Sequence, residues 1–531
     1  MYRVLITDDI SPVGLELLDQ SDDVKYDVVK LPDHQQLLAI IGDYDAVITR
    51  SGTPLDRSVF NAANRLKIAA RAGVGMDNVD VDAATLRGIL VMNTPEANTL
   101  AATEMTMALL LSLCRNLPGA DVALKSGEWK RSRFMGMQLS DKTLGVIGLG
   151  RIGSRVATRC QAFGMKVMAY DPYITEEIAN RIHVRLVGEL DELLTSCDII
   201  TIHAPLTDET RGMIGAAEIT RMKNGVRLIN CARGGIIDEQ AMYDGLVSGK
   251  VAGAALDVYS SEPPRAPILQ RLLAHDNVVA TPHLGANTIE AQRDVAVQVV
   301  QQVLDALRGV NFRNVINLPF AEGIEYRALV PYMTLAEKIG SLQMQLITGR
   351  VGRVEIEFRG PEIESHVKPL TVGLLKGMLA PILSDTVNYV NAPRLAEERG
   401  IIVSQTRYPT AGDYTNTILC RVTSSKETRL IGGVLFLGTE PRIVLLDDYR
   451  LDALPSGRAL VMTSHDVPGV IGRVGTLLGE RGINIAEWRL GRNAPGQMAM
   501  SFINIDSPVS ESVLAELRSL PPIVDVRQVA L

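Results

Sequence analysis

The stretch TLGVIGLGRIG constrains this chain more than any other. It sets Gly148-x-Gly150-x-x-Gly153 directly after a strand-like run and at the opening of a helix-like one. In that helix Ile152, Val156, Cys160 and Phe163 share one face by helical spacing. The next strand-like run, KVMAY, is followed by Asp171, 18 residues beyond Gly153. Each position has a mechanical reason in a dinucleotide site. Gly148 permits a tight turn, Gly150 lets a pyrophosphate approach the backbone, and Gly153 allows close helix–strand packing. The helix N-terminus offers free N–H groups and a positive dipole end to the phosphates. Asp171 accepts hydrogen bonds from ribose hydroxyls and repels a 2′-phosphate, so NAD is expected rather than NADP. A glycine-rich turn without a ligand leaves the acid at the ribose distance unexplained.

Around this unit the first 320 residues alternate strand-like runs (RVLITD, AVITR, KIAARAG, DIITIH, VRLINC, GAALDVY, VVATPH) with helix-period segments. That order predicts βαβ units and parallel sheets, with too many strands for one sheet. Helical runs around Ala101–Leu117 and near Asn287–Leu307 mark the crossings between two lobes. The expected fold is α/β, with two Rossmann-like or flavodoxin-like parallel-sheet lobes. The first is discontinuous, at 1–97 plus 287–317, and the nucleotide lobe is 98–286. Residues 318–455 read as a mixed α/β domain with no cluster that looks catalytic, and LDALPSG reads as a linker. Residues 458–531 follow a βαββαβ, ferredoxin-like order.

Three ionisable residues lie just past three successive predicted strands: Arg233 after VRLINC, Glu262 after GAALDVY and His283 at the end of VVATPH. Ligands of open parallel sheets bind outside the carboxyl ends of the strands, so the three are expected to converge beside the nicotinamide. Oxidising a 2-hydroxy acid removes a proton from oxygen and a hydride from carbon. A histidine near neutral pKa accepts the proton. A carboxylate beside it favours the imidazolium. An arginine fork holds the substrate carboxylate. Taken singly, each has a plain reading: a structural histidine, a solvated turn acid, a paired arginine. The remaining histidines, His34, His183, His203, His275, His366 and His465, read as structural or surface residues.

Composition excludes other classes. Lys+Arg 54 against Asp+Glu 61 leaves a net charge of -7, which argues against nucleic acid or anionic membrane as a partner. No apolar run is long enough for a membrane span, and the start MYRVLITDDI lacks the layout of a signal peptide. Cys114, Cys160, Cys197, Cys231 and Cys420 are scattered and odd in number, so neither a disulfide framework nor a metal site is expected. Reduced thiols in a cytoplasm are the natural expectation.

At RAGVGMDNVD, TLGVIGLGRIG, YDP, INCARGGIIDE, ALDVYSSEPP and TPHLGA the sequence resembles the D-isomer-specific 2-hydroxyacid dehydrogenases. The resemblance covers most of residues 1–320. It implies the roles argued above for Arg233, Glu262 and His283. It also implies NAD contacts at Arg151, Ile152, Asp171, Cys231, Ala232, Asp257 and the segment His283, Leu284, Gly285 and Ala286. In the first lobe it implies that the backbone at Gly73, Val74 and Gly75 cradles the substrate carboxylate, which suits glycine's close backbone approach.

The stretch VNYVNAPRLAEERGI and the terminal βαββαβ unit narrow the match to the long-form D-3-phosphoglycerate dehydrogenases, with an intervening domain and an amino-acid-binding ACT domain. That branch implies oxidation of 3-phosphoglycerate, a serine effector and a homotetramer or homodimer. By resemblance Arg50, Arg71 and Arg131 are the phosphate candidates, whereas Lys130 and Arg133 also read as a solvated run. Asp466 and Asn484 are the effector candidates; Asp466 also reads as a helix cap, and Trp488 is bulky for such a site. Two other functions stay open: oxidation of another D-2-hydroxy acid with 2-oxoglutarate reduction beside it, and a sensor of NAD or amino acids.

Overall fold

The computed structural model describes residues 1–318, 326–383, 387–410 and 412–531. The first lobe is a five-stranded sheet of β1 (Tyr2–Ile6), β2 (Val24–Val28), β3 (Ala46–Thr49), β4 (Ile68–Arg71) and β5 (Leu90–Met92). All pairs are parallel and the order is β2-β1-β3-β4-β5, so the order reverses between β1 and β3. Asp8 and Arg50 follow those two strands, which places them at the switch point where such sheets bind ligands.

The second lobe is a seven-stranded parallel sheet: β6 (Thr143–Ile147), β7 (Lys166–Tyr170), β8 (Arg185–Leu186), β9 (Ile199–Ile202), β10 (Val226–Asn230), β11 (Val251–Leu256) and β12 (Val278–Ala280). Its order is β12-β11-β10-β9-β6-β7-β8, a doubly wound sheet that reverses between β6 and β9. Periodicity had not revealed β2, β5 and β8. They are short, and β2 is an exposed edge strand with one buried residue.

Two long helices carry the crossings. Helix Thr99–Cys114 buries Leu109, Leu110 and Leu113 against Leu144, Val146 and Ile229 of the second sheet. Helix Ile289–Leu307 starts at Thr288, whose hydroxyl accepts the Ala291 N–H at 3.1 Å. It returns Val295, Val299, Val303 and Leu307 to the core of the first sheet, beside Val4, Ile6 and Ile48. Beyond it, Val315 bridges Met92 at the end of β5.

The chain between 319 and 325, where the third segment begins, lies outside the described residues. Helices Tyr326–Leu346 and Val367–Leu383 then pack tightly. A Cβ on Gly340 or Gly377 would stand 2.1 Å from the carbonyl oxygen of Leu374 or Glu337, so glycine is what allows this approach. They lie on a six-stranded mixed sheet that ends with strand Tyr449–Ala453. LDALPSG is therefore only half a connection: Leu451–Ala453 is sheet, and 454–457 joins it to the next strand.

The terminal sheet holds strands Arg458–His465, Ile485–Arg492, Met498–Ile505 and Ile523–Ala530 in the order second, third, first, fourth. Strand alternation gives it two apolar faces. Leu460, Met462, Ile503 and Val526 meet its own helices. Ala459, Val461, Met500 and Phe502 join the core of the preceding domain. The two C-terminal segments thus pack together along one face of the terminal sheet, whose other face keeps a core of its own. Contact with the first lobe is slight: Asn388 Nδ2 donates to the Gly88 carbonyl at 2.7 Å.

Candidate active site

The cleft between the lobes is lined by the carboxyl ends of both sheets. On the nucleotide side Gly148 has φ +89°, and a Cβ there would stand 2.7 Å from the His203 carbonyl. A Cβ on Gly153 would stand 2.1 Å from the Gly148 carbonyl. The protein itself requires these two glycines. Gly150 differs, because a Cβ there would meet nothing within 4 Å. Its missing side chain leaves open space at the start of helix Arg151–Ala162, an end that no side chain caps. Such a cradle fits a pyrophosphate. Asp171 stands beside it, accepting Leu149 N–H at 2.8 Å and Tyr173 N–H at 2.9 Å, one on each oxygen. Each oxygen keeps a lone pair for a ribose hydroxyl. The helix face predicted from periodicity is correct at Val156 and Cys160, but Phe163 is at the C-cap and exposed.

Arg151 leans across to Glu96 at 3.5 Å, and Ile152 packs beneath the loop. The turn after β10 is folded by Asn230, which accepts Ala232 N–H at 3.0 Å and donates to the Arg233 carbonyl at 2.8 Å. Burial pushes the Cys231 thiol up to about 12, so it is a neutral contact in this turn. Asp257 is fully buried. Its carboxylate accepts Thr281 Oγ1 at 2.6 Å, Leu284 N–H at 2.7 Å and Gly285 N–H at 2.8 Å. These bonds shape the loop that carries His283 at φ 54°. Gln292 secures the far end of that loop by donating to Ala286 O at 2.9 Å.

The trio comes together as expected at one pair. His283 Nδ1 is 2.7 Å from Glu262 Oε2, and Glu262 Oε1 accepts Tyr259 N–H at 3.2 Å. For Glu262, burial opposes ionisation, but the His283 hydrogen bond and charge, helped by Tyr259 and Arg233, outweigh it; the carboxyl stays below its usual range. The hydrogen bond to Glu262 raises His283 above the ordinary imidazole range, against burial. A carboxylate only accepts, so Nδ1 carries hydrogen and neutral His283 keeps its basic lone pair on Nε2.

Arg233 reaches the first lobe, where its Nε is 3.3 Å from Asp77 Oδ2. Arg71 approaches the same oxygen with Nη1 at 3.7 Å. Arg71 is largely buried, its Nε and Nη1 lack hydrogen-bond partners, and burial lowers its pKa, with Arg233 and Arg50 adding repulsion. Arg50 stands on a loop tied to buried Asp8, which accepts Arg50 N–H at 3.0 Å, and to Asn78, which donates to the Arg50 carbonyl at 2.7 Å. Three cations thus face one recess with one acid among them, an arrangement that favours a multiply charged anion.

The backbone cradle is narrower than the sequence implied. Gly73 N–H is taken by the Arg71 carbonyl at 2.9 Å. Val74 and Gly75 N–H have no acceptor among the described residues, and Asn93 Nδ2 holds the Val74 carbonyl at 2.7 Å. Arg131 lies apart from this group, exposed on the single turn Arg131–Phe134, with no hydrogen bond or ion pair to the cluster. Lys130 and Arg133 both pair with Glu128, as the solvated reading expects. Asp77, Asn78, Asn93 and Asn230 were missed. RAGVGMDNVD contains Asp77 and Asn78, and INCARGGIIDE contains Asn230, but neither string singles them out.

At the terminal sheet the effector candidates separate. Asp466 follows the first strand and Asn484 precedes the second. Register places His465 opposite Met498 and Ile485 opposite Ile505, so the two sit at opposite ends of the sheet. Asp466 is no helix cap: the cap of helix Val470–Glu480 is Gly469. Asp466 instead accepts Arg492 Nη1 at 3.1 Å and Gly496 N–H at 3.2 Å. Asn484 donates to Asp506 at 2.7 Å, and Trp488 donates to Ser501 at 3.1 Å.

Comparison with known proteins matches this arrangement. The NAD-binding domain of D-isomer specific 2-hydroxyacid dehydrogenases matches residues 107–285. The D-3-phosphoglycerate dehydrogenase intervening domain matches residues 328–447, and the ACT domain 458–522. D-3-phosphoglycerate dehydrogenases of Bacillus subtilis and Methanocaldococcus jannaschii are 42% and 41% identical over 531 residues, covering 100% of each chain. Among solved structures, the Aquifex aeolicus D-lactate dehydrogenase complexed with NAD and lactic acid is 30% identical with a TM-score of 0.53. It covers 58% of this chain and 96% of its own. The TT0316 protein of Thermus thermophilus is 32% identical with a TM-score of 0.55, covering 59% and 99%.

Proposed function

The chain belongs to the D-3-phosphoglycerate dehydrogenases of the D-isomer-specific 2-hydroxyacid dehydrogenase family, and on that premise we propose how its cleft works. The reaction is NAD-linked oxidation of 3-phospho-D-glycerate to 3-phosphooxypyruvate, the first step of L-serine biosynthesis. The observation that carries the assignment of roles is the 2.7 Å contact between His283 Nδ1 and Glu262 Oε2. It leaves Nε2 as the base for the substrate hydroxyl. Arg233 holds the carboxylate, with the Val74 and Gly75 N–H groups beside it. Arg71 and Arg50 take the phosphate. Arg131 has no part in a single-chain site.

NAD, held by Gly148, Gly150, Gly153 and Asp171, supplies the hydride acceptor. The chain's own residues do the rest. His283 takes the hydroxyl proton at Nε2 as the C2–H bond breaks, and Glu262 stabilises the resulting imidazolium. In the reverse direction His283 returns that proton to the carbonyl oxygen. Initial rates of NADH formation with 3-phosphoglycerate, before and after Asn replaces His283, test this assignment.

Two further readings concern assembly and control. No single helix among the described residues is long and apolar enough to cross a membrane. Leu117, Val122, Leu124, Trp129 and Met135 are instead exposed together along 117–135, which supports an interface between copies in a dimer or tetramer. Serine control needs Asp466 and Asn484 to act together. One chain does not bring them together, so a serine site using both draws them from two chains. Size-exclusion with light scattering, with and without serine, tests both. The five unpaired cysteines support a reducing cytoplasm.

A further inference from the structure

Two guanidinium groups from different lobes meet one carboxylate. Asp77 lies on the loop after β4, yet its Oδ2 stands 3.3 Å from Arg233 Nε, on the turn after β10, and 3.7 Å from Arg71 Nη1. Gly75 makes the approach possible. A Cβ there would stand 2.0 Å from Arg233 Nη2, 2.7 Å from Asp77 Oδ2 and 2.8 Å from Arg71 Nη1. Each nitrogen of Arg233 is thereby placed. Nη1 donates to the Ala232 carbonyl at 2.6 Å, Nε faces Asp77, and Nη2 is left against the Gly75 backbone. Without the acid, the charge left close to Arg233 on the first-lobe side is that of Arg71, which repels it.

We propose that Asp77 is a positioning residue for Arg233. It fixes the guanidinium across the cleft so that its Nη2 edge and the Val74 and Gly75 N–H groups form one carboxylate seat. The acid touches neither the reacting atoms nor the cofactor. Its side chain is 56% exposed, so the contact is screened and adds little to folding; what it controls is direction. Misplacing a substrate-holding group by about 1 Å costs on the order of 10² in rate. The inference rests on Arg233 being the substrate anchor.

A double-mutant cycle separates the two claims. Asp77→Asn, Arg233→Ala and the pair are assayed for kcat/KM with 3-phosphoglycerate, with NADH binding and the pH profile followed in parallel. D77N should lose about 10²-fold in kcat/KM, while NADH affinity and the acid limb of the profile stay as in the parent. In the R233A background the same change should cost less than about 3-fold, because the group it positions is gone. D77S runs the same cycle should D77N not fold. D77N within about 2-fold of the parent, or an equal loss in both backgrounds, overturns the inference while leaving Arg233 as the anchor. A silent R233A removes the anchor reading and this inference with it.

Discussion

The catalytic cleft and the terminal sheet are both built where strands end, yet only one of them assembles its site within a single chain. In the cleft, Arg233, Glu262 and His283 leave neighbouring strands of one parallel sheet, all at its carboxyl edge. Parallel strands point their functional ends the same way, so residues 50 apart in sequence (233 to 283) meet. In the terminal sheet Asp466 closes the first strand and Asn484 opens the second. Those strands run the same way, so an end and a beginning lie about 30 Å apart, the span from Gln497 opposite Asp466 to Asp506 opposite Asn484 at roughly 3.3 Å per residue. The chemistry is therefore a property of one chain, and a control site using both residues is a property of the assembly.

The comparison breaks most decisively at His283. Replacing it by Ala should lower kcat by roughly 10²–10⁴, measured as NADH production at saturating substrate. A loss under about tenfold would mean that another group accepts the proton. Glu262→Gln sharpens the same point through pH. Oxidation needs neutral His283, so kcat/KM rises as pH climbs through a pKa that Glu262 holds up. Removing that carboxylate drops the pKa and moves the rising limb to lower pH, with a lower plateau. In the reduction direction, where the imidazolium is needed, activity falls rather than rises across the same range.

Next in size is the anion recess. Arg71→Ala deletes charge-assisted contacts worth about 1.5–3 kcal/mol, on the order of 10–10² in kcat/KM. The loss should be confined to the phosphorylated substrate, with glycerate barely affected. A smaller effect is expected at Asp171→Ala, where the preference for NAD over NADP should shrink by about tenfold on loss of one like-charge repulsion; a ratio of kcat/KM values reads it. The smallest basal effect belongs to the other side of the comparison. Asp466→Ala and Asn484→Ala should each leave uninhibited turnover within about 2-fold while removing the response to serine. Mixing the two single variants should restore about a quarter of the sites if the site spans two chains that exchange at random, and none if it lies within one.

Much of this was legible in the sequence, for local reasons. Glycine spacing, strand ends and the acid after KVMAY are short-range signals, and each survives as geometry around Gly148, Gly150, Gly153 and Asp171. Helix Ile289–Leu307 was visible from its 3.6-residue period. Illegible were contacts between distant segments. Asp77 looks like any loop acid until the fold lays Arg233 from the other lobe upon it. The part Asp257 plays in shaping the His283 loop was hidden, because nothing local shows that Thr281, Leu284 and Gly285 donate to its carboxylate. Asp466 and Asn484 were both legible as effector candidates, but strand direction, which sets them at opposite ends of the sheet, was not. Leu451–Ala453 passed for linker because its burial comes from the sheet it joins.

The central claim is that one cleft, with a His283–Glu262 pair beside an arginine recess, oxidises a phosphorylated 2-hydroxy acid with NAD. The most direct test compares kcat/KM for 3-phosphoglycerate, glycerate and 2-hydroxyglutarate with NAD, in the parent and in Arg71→Ala. The account predicts that 3-phosphoglycerate leads by on the order of 10² or more in the parent and that R71A erases most of that lead. Equal rates on glycerate and 3-phosphoglycerate, or a lead untouched by R71A, would contradict it.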